Sequence, residues 1–571
     1  MKNILKLSAL LLLTGFIYTS CEKEYLPQNG YATKDQVADA PGAFDNAVSA
    51  VTSTLTGEFI YGGSNNYPYD LGWPALNLER DIMGQDIVYV YQNWYSYWYE
   101  MIYLGPAYRI SQMPWTYYYK WIKSCNDVIS LACDAEGNVT DPEKAAGAGI
   151  AFAVRAWLYT EMSQMYSQKT YVVDKQDVSV PIVTESTSLA DLAHNPRATH
   201  NPRATHEAMY AFIISDLDKA ETCLANYKRP NIYVPDLSVV YGLKARAYLL
   251  MGEWANAATY AKKAQEGYSI MSEAQYTDWE TGFNTPNSAW MFALEQKTSD
   301  PQIQSNDADS SWGSMMYMEI NPEVSGCGYA ANYGQPFKID YHLFESIPAT
   351  DCRKKCYVDF AIDALEGDAK TEALAAYTKH PTWLQTSADA ISGFGNGLVG
   401  GIELKFRTAG GEAGRDNQYI GFVGSIPLMR VEEMYLIEAE AVGRQNEAEG
   451  IAKLTAFAKT RDANYVYGEH SENYGDVKSS AFVNEVWWQR RIELWGEGFA
   501  TMDIKRLQKG VIRNYPNTNH VPNYRYVERN TPNWMNLCIV QTETNYNYDC
   551  TNNPDPSKSS PADDPMVTSF D

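Results

Sequence analysis

Histidine is scarce in this chain. Seven occur in 571 residues, none with the spacing of a metal site, which disfavours imidazole-based catalysis and metal centres. H-E-x-x-H, G-x-S-x-G and the phosphate-cradling G-x-x-x-x-G-K-[ST] are missing too. Nine cysteines are present, but the C-x3-C pair Cys352 and Cys356 has no second pair or neighbouring histidine to complete a zinc site. Positive charge is short. Lys and Arg number 46 against 70 Asp and Glu, a net charge of −24, and without basic patches the chain cannot neutralise nucleic-acid phosphates. No cofactor is expected, and no enzymatic activity. Glycoside hydrolysis needs only two carboxylates, however, so a surface glycosidase stays open as an alternative.

Tyrosine is what the chain has in excess: 43 Tyr and 15 Trp stand beside 17 Phe. Core volume alone would call for Phe, whereas Tyr and Trp join an apolar face to a polar edge. The surplus points to half-exposed aromatics, hence a recognition surface. The densest run holds Tyr91, Trp94, Tyr95, Tyr97, Trp98 and Tyr99. A helix through it would carry aromatics on nearly every face, so part of it must be exposed. Sugar rings stack an apolar face on Trp or Tyr while their hydroxyls need polar partners. Arg80, Asp86, Asn93, Trp94, Tyr97 and Trp98 offer that mixture within some twenty residues.

Elsewhere the periodicity is helical. Trp488, Ile492 and Trp495 fall at i, i+4 and i+7 with Arg491 and Leu494 beside them, an aromatic stripe carrying a charge. In residues 430–442, Glu433 and Glu440 share a face with Leu436 and Ile437 between them, and the pattern predicts that Arg491 pairs with one of them. Tyr118, Trp121, Ile122, Cys125, Val128 and Ile129 form another stripe, and Asp141-Pro142 opens the helix after it. Ala245 to Ala257 read as a helix, a Gly252 turn and an Ala-rich helix, with the Gly-x4-Ala spacing repeated at Gly443 and Ala448. Such hairpins must stack to cover their apolar faces. Residues 268–429 lack this pattern and read as loops and short strands, with a strand at Ala289–Leu294. His194-Asn195-Pro196-Arg197-Ala198-Thr199 is followed by an identical copy in 200–205, an insertion that a loop absorbs at small cost.

Several segments carry a family resemblance. Arg490-Arg491-Ile492-Glu493-Leu494 with Glu497-Gly498 resembles the ERRxEL…EG signature of SusD/RagB-type outer-membrane nutrient-binding lipoproteins, with Gln489 in place of the usual Glu and Ala500 in place of the usual Arg. Arg430, Glu433, Leu436, Ala439, Glu440 and Ala441 match that family's RxxExxLxxAEA helix, and Cys125-Asn126 and Pro202-Arg203-Ala204-Thr205 match further segments. The resemblance implies a mainly α, tetratricopeptide-like superhelix of helical pairs with a loop-rich region. It implies an oligosaccharide ligand, held on Trp94 and Trp98 with Trp312 and Tyr317 as partners, and delivery to a SusC-like TonB-dependent transporter. A RagB-like peptide receptor on the same scaffold is the alternative, and a pure protein-binding scaffold a further one.

Lys2 and Lys6 precede an apolar run, Leu7 to Tyr18, too short to span a bilayer. Thr19-Ser20-Cys21 then resembles a bacterial lipobox. The expected order is a lipoprotein signal peptide at 1–20, a lipid anchor (palmitate among its acyl groups) with a flexible tether at 21–45, and one domain over 46–571. Within that domain the helical scaffold takes about 46–267 and 428–510, the loop-rich insertions 268–427, and an irregular tail follows, disordered beyond Cys550. The protein would sit at the outer membrane, facing the exterior. Replacing Cys21 with Ala should therefore move it from the membrane to the soluble fraction; a variant that stays acylated and membrane-bound contradicts the lipobox.

Overall fold

The computed structural model describes residues 40–57, 71–89, 95–185, 201–305, 308, 311–324, 328–389 and 397–571. Cys21, the expected lipidation site, and the first HNPRAT copy lie outside them. The chain divides into two units, Met1–Asn46 and Ala47–Asp571, and the elements below belong to the second.

In chain order they are α1 (Trp73–Ile82), β1 (Ile87–Tyr89), α2 (Arg109–Ala132), α3 (Ala145–Tyr166), α4 (His206–Leu224), α5 (Leu237–Met251), α6 (Trp254–Ala264), β2 (Trp290–Leu294), β3 (Phe337–Ile339), β4 (Ile426–Arg430), α7 (Val431–Gly443), α8 (Glu447–Ala458), α9 (Ala481–Glu493) and α10 (Ala500–Arg506). Consecutive helices pack as pairs: α2 on α3, α3 on α4, α5 on α6, and α7 on α8, with α6 also against α7. This is the expected mainly α stack of hairpins. Among the described residues, three two-stranded antiparallel sheets accompany it, including β1 with β3 and β2 with β4.

Local chemistry explains the boundaries. Asp236 caps α5 by accepting from the Val239 N–H, and Gly252 ends the helix at φ +71°, a left-handed turn that only glycine takes without strain. In the second hairpin the close approach falls on Gly443 and Gly450 rather than Ala448: a Cβ on Gly450 would lie 2.3 Å from the Gly443 Cα. Asp141 accepts from the Glu143 N–H and starts a 3₁₀ turn that leads into α3. The second HNPRAT copy is built into the fold. Thr205 caps α4, and the buried Arg203 donates to the Ser179 carbonyl at 2.6 Å, the Tyr166 carbonyl at 2.8 Å and Asn553 Oδ1 at 2.9 Å.

That last bond ties down a tail expected to be disordered. The tail beyond Cys550 is irregular but ordered. Asn553 also donates to the Tyr166 and Leu537 carbonyls, and Phe570 stacks on His342 with ring centroids 3.8 Å apart. An Asn-, Pro- and Tyr-rich composition predicts no regular element here, but the tail packs through hydrogen bonds to earlier parts of the chain. The loop-rich region likewise has a small core of its own, including Met318, Val358, Leu374, Leu384, Ile402 and Leu404.

The α7–α9 relation holds in kind and fails in its partners. Arg491 pairs with Asp86 at 2.5 Å, while Glu433 holds Arg246 at 2.6 Å and Glu440 holds Arg506 at 2.8 Å. α7 and α9 are joined instead through a fully buried network. Glu493 takes Arg430 at 3.1 Å, Arg461 at 2.9 Å and Arg353 at 3.4 Å. Glu432 bonds Arg430 and Arg461 at 3.0 and 3.1 Å, and Glu497 bonds Arg430 at 2.8 Å and Lys405 at 2.6 Å. Burial alone would raise the Glu493 carboxyl, but the arginines around it, Arg461 foremost, hold it well below the usual carboxylate range. Glu493→Ala takes a carboxylate partner from three buried guanidiniums, and we expect a loss of about 3–5 kcal/mol in chemical denaturation. A loss under about 1 kcal/mol, the worth of a solvated surface pair, would mean that water replaces the network.

Candidate functional site

The β1–β3 ladder organises the aromatic region. Ile87 pairs with Ile339, Val88 with Lys338 and Tyr89 with Phe337. Because the strands are antiparallel, the chain leaves β1 at the same end of the ladder where it enters β3. It returns at Tyr95, whose ring lies 6.1 Å from Phe337, and runs into a short helix, Ser96–Glu100.

Most of the residues expected to bind are packed away from solvent. Trp98 is 0% exposed, against Tyr95 at 5.9 Å. Trp312 and Tyr317 are buried, with Trp312 edge-on to Phe406 at 4.9 Å and Tyr317 edge-on to Phe422 at 5.5 Å. Arg80 is consumed by Glu161 at 2.5 Å and Asn77 at 2.5 Å, and Asp86 by Arg491. None of these five is free to meet a ligand in this structure. The reason is common to all: a polar or aromatic side chain near a rigid scaffold completes that scaffold when a complementary group faces it. Asn93 and Trp94 lie outside the described residues.

Tyr97 differs from these. It is half-buried, and its ring meets Tyr103 edge-on at 5.7 Å, which in turn meets Tyr108 at 5.0 Å. Tyr103 is 49% exposed and Tyr108 45%. The turn that presents them is strained, with Met101 at φ +59° and Tyr103 at φ +58°. Each such non-glycine residue costs about 1 kcal/mol or more and persists only where surrounding contacts impose it. Here the tail imposes it: Ser557 Oγ accepts from the Leu104 N–H at 2.8 Å, and the Met101 carbonyl accepts from the Lys558 N–H at 2.7 Å.

A second tyrosine pair, one ring half-buried and one exposed, precedes β3. Tyr329 and Tyr333 sit one turn apart in a short helix, Tyr329–Asn332 and its C-cap, bracketed by Gly328 and Gly334 at φ +88° and +60°. Their rings are 5.2 Å apart and tilted by 34°, and Tyr333 is 44% exposed. Tyr329 is close enough to the buried Tyr89 hydroxyl to add to the rise in its pKa, of which burial is the main cause. Two groups of accessible tyrosines thus border the end of the ladder from which segment 90–94 departs.

Residues 77–249 match a SusD-like family described as starch-binding and associating with the outer membrane, and residues 373–555 match the SusD family itself. The chain is a SusD/RagB-type protein. A SusD-like carbohydrate-binding protein from Bacteroides vulgatus superposes with a TM-score of 0.66 at 23% identity, over 90% of this chain and 98% of that one. A SusD superfamily protein from Bacteroides thetaiotaomicron gives 0.63 at 19%, over 92% and 100%. Surface glycan-binding protein A from Bacteroides thetaiotaomicron, in complex with laminarihexaose, gives 0.56 at 18%, over 88% and 96%. Curated proteins give no match. Among the described residues, no helix of this SusD-type chain is long and apolar enough to cross a membrane.

Sequence reasoning overlooked Tyr103, Tyr108, Tyr329 and Tyr333. Density drew attention to 91–99, whereas the exposed rings stand where the sequence turns: Tyr103 before Gly105-Pro106, and Tyr329 with Tyr333 between two glycines. Aromatics beside turn residues were the better signal. Trp98→Ala should lower stability by about 3–5 kcal/mol in thermal or denaturant melts, as for a core tryptophan. Tyr333→Ala should stay within about 0.5 kcal/mol. Equal losses in the two variants would erase the division drawn here between core and rim.

Proposed function

We propose that this SusD-type protein is a cell-surface glycan-binding lipoprotein, anchored through Cys21, that captures oligosaccharides by aromatic stacking and hands them to a SusC-like TonB-dependent transporter. The observation that carries the reading is the pair of exposed tyrosine groups, Tyr97–Tyr103–Tyr108 and Tyr329–Tyr333, at one end of the β1–β3 ladder. Exposed aromatic rings on a rigid frame offer stacking faces at little entropic cost, because packing has already fixed them. Asn332, half-buried between Tyr329 and Tyr333, and Asp555, beside Gly105, are polar groups suited to sugar hydroxyls. Asn93 and Trp94 belong to the same proposal, since they occupy the segment between Tyr89 and Tyr95. Membership in a family described as starch-binding supports the ligand class, as does likeness to a protein solved with laminarihexaose.

Titration calorimetry with laminarihexaose, maltohexaose and xylohexaose, beside a tripeptide library, tests the reading. At least one glycan should bind, and Tyr103→Ala and Tyr333→Ala should each cost about 1–3 kcal/mol of affinity, taking stacking of bases on aromatic side chains as the scale. The melting temperature should stay where it was. Binding of peptides alone would reassign the protein as a RagB-like receptor, and release of shorter sugars would make it a hydrolase.

A further inference from the structure

A cavity of about 440 Å³, lined by none of the rim tyrosines, lies between α9, the short helix Tyr341–Ser346 and the loop around 469–474. Its lining includes Glu345, Glu469, His470, Trp487, Trp488 and Arg491. Several of these polar groups have no hydrogen-bond partner among the described residues, and they are sorted by depth. On the floor, Trp487 is 2% and Arg491 8% exposed. The indole N–H of Trp487 is unpartnered, and so is Nη1 of Arg491, whose Nε and Nη2 are taken by Asp86 and Tyr474. At the mouth, the exposed carboxylates of Glu345 and Glu469 have no cation, and Glu472 beside them holds His342 at 2.7 Å.

We infer that this cavity binds a small zwitterion, a free α-amino acid or the equivalent end of a short peptide, with its carboxylate on the floor and its ammonium at the mouth. Floor and mouth demand opposite things of a ligand. Trp487 and Arg491 offer only N–H donors, which a carboxylate satisfies and an ammonium cannot. Glu345 and Glu469 offer only acceptors, and their negative charge turns away a simple anion. A neutral sugar fits poorly, because the faces it would stack on are covered. His470 lies on Trp488 at 3.6 Å with the rings 4° from parallel, and the Arg491 guanidinium lies over Trp487 at 4.8 Å. Depth favours the assignment as well, since the charge-assisted bonds of the carboxylate would form where little water reaches. The inference stands apart from the glycan reading, since it shares no residue with the tyrosine rim.

Calorimetric titration and thermal shift on the whole chain test it, using glycine, L-leucine, L-lysine, glycylglycine and triglycine. Each runs beside its N-acetylated and its C-amidated form. At least one free zwitterion should bind with one-to-one stoichiometry, and either blocked form about tenfold more weakly, the cost of one charge-assisted contact. Preference for glycine or leucine over the peptides marks free amino acids as the ligand, and the reverse marks peptide ends. Glu345→Gln with Glu469→Gln, both at exposed positions, should weaken binding about two- to fivefold without changing the apo melting temperature. Trp487→Phe, which keeps an aromatic side chain but removes the indole N–H, should weaken it too. The inference is overturned if no zwitterion binds, if blocked forms bind equally well, if the double glutamine variant binds unchanged, or if glucose or laminarihexaose competes for the cavity.

Discussion

Glu493 takes three arginines that come from three separate places in the chain. Arg430 stands at the end of β4, Arg461 beyond the C-terminus of α8, and Arg353 inside the loop-rich region. Glu497 and Glu432 extend the set to Lys405 and back to Arg430. Nearly every member is out of contact with water, Glu497 at 8% being the most exposed, so an unpaired charge here would be costly. Four cations (Arg353, Lys405, Arg430, Arg461) meet four carboxylates (Asp351, Glu432, Glu493, Glu497). Removing so many charges from water is costly, and apolar residues of the same size would often be no less stable. What the network adds is position. A backbone placed even one residue out of register would leave a buried charge unpaired, so the α7–α9 pair and the loops inserted before it meet in one arrangement only.

That rigidity bears directly on the binding surface. The loop-rich region has only a small core of its own, and short strands give it little else. Anchored at Arg353, Lys405 and Arg430, it can present Tyr329 and Tyr333 beside the β1–β3 ladder without ordering them at the moment of binding. The strained turn at Met101 and Tyr103 works in the same way, its cost offset by the tail that pins it. A tail expected to be disordered beyond Cys550 thus fixes the geometry of the exposed aromatics.

The aromatic surplus shows where reading a sequence stops being informative. That 43 tyrosines would include exposed ones follows from composition, and the accessible rings of Tyr103, Tyr108 and Tyr333 bear it out. Which ones are exposed does not follow. Trp98 and Tyr97 are adjacent in the densest run, yet one is sealed in and the other lies in a partly open ladder of rings. Period and composition are the same for both, and the difference comes from what faces each side chain, Tyr95 in one case and an open turn in the other.

The sequence by itself determined the helical pairs, their caps and turns, the short strand near 290–294 and the family, because each depends on residues close together along the chain. Spacing of apolar positions sets a helix face, and Asp236, Gly252 and Thr205 act within a few residues of where they stand. The tertiary structure decided the charge partners: Arg491 shares α9 with a signature motif, but Asp86, its partner, lies 405 positions away. It also decided which aromatics are covered, how the tail packs, and that Trp487, Arg491, Glu345 and Glu469 line one cavity beside α9. Those outcomes depend on which distant segments are brought together, and a single chain's local pattern has no physical means of recording that.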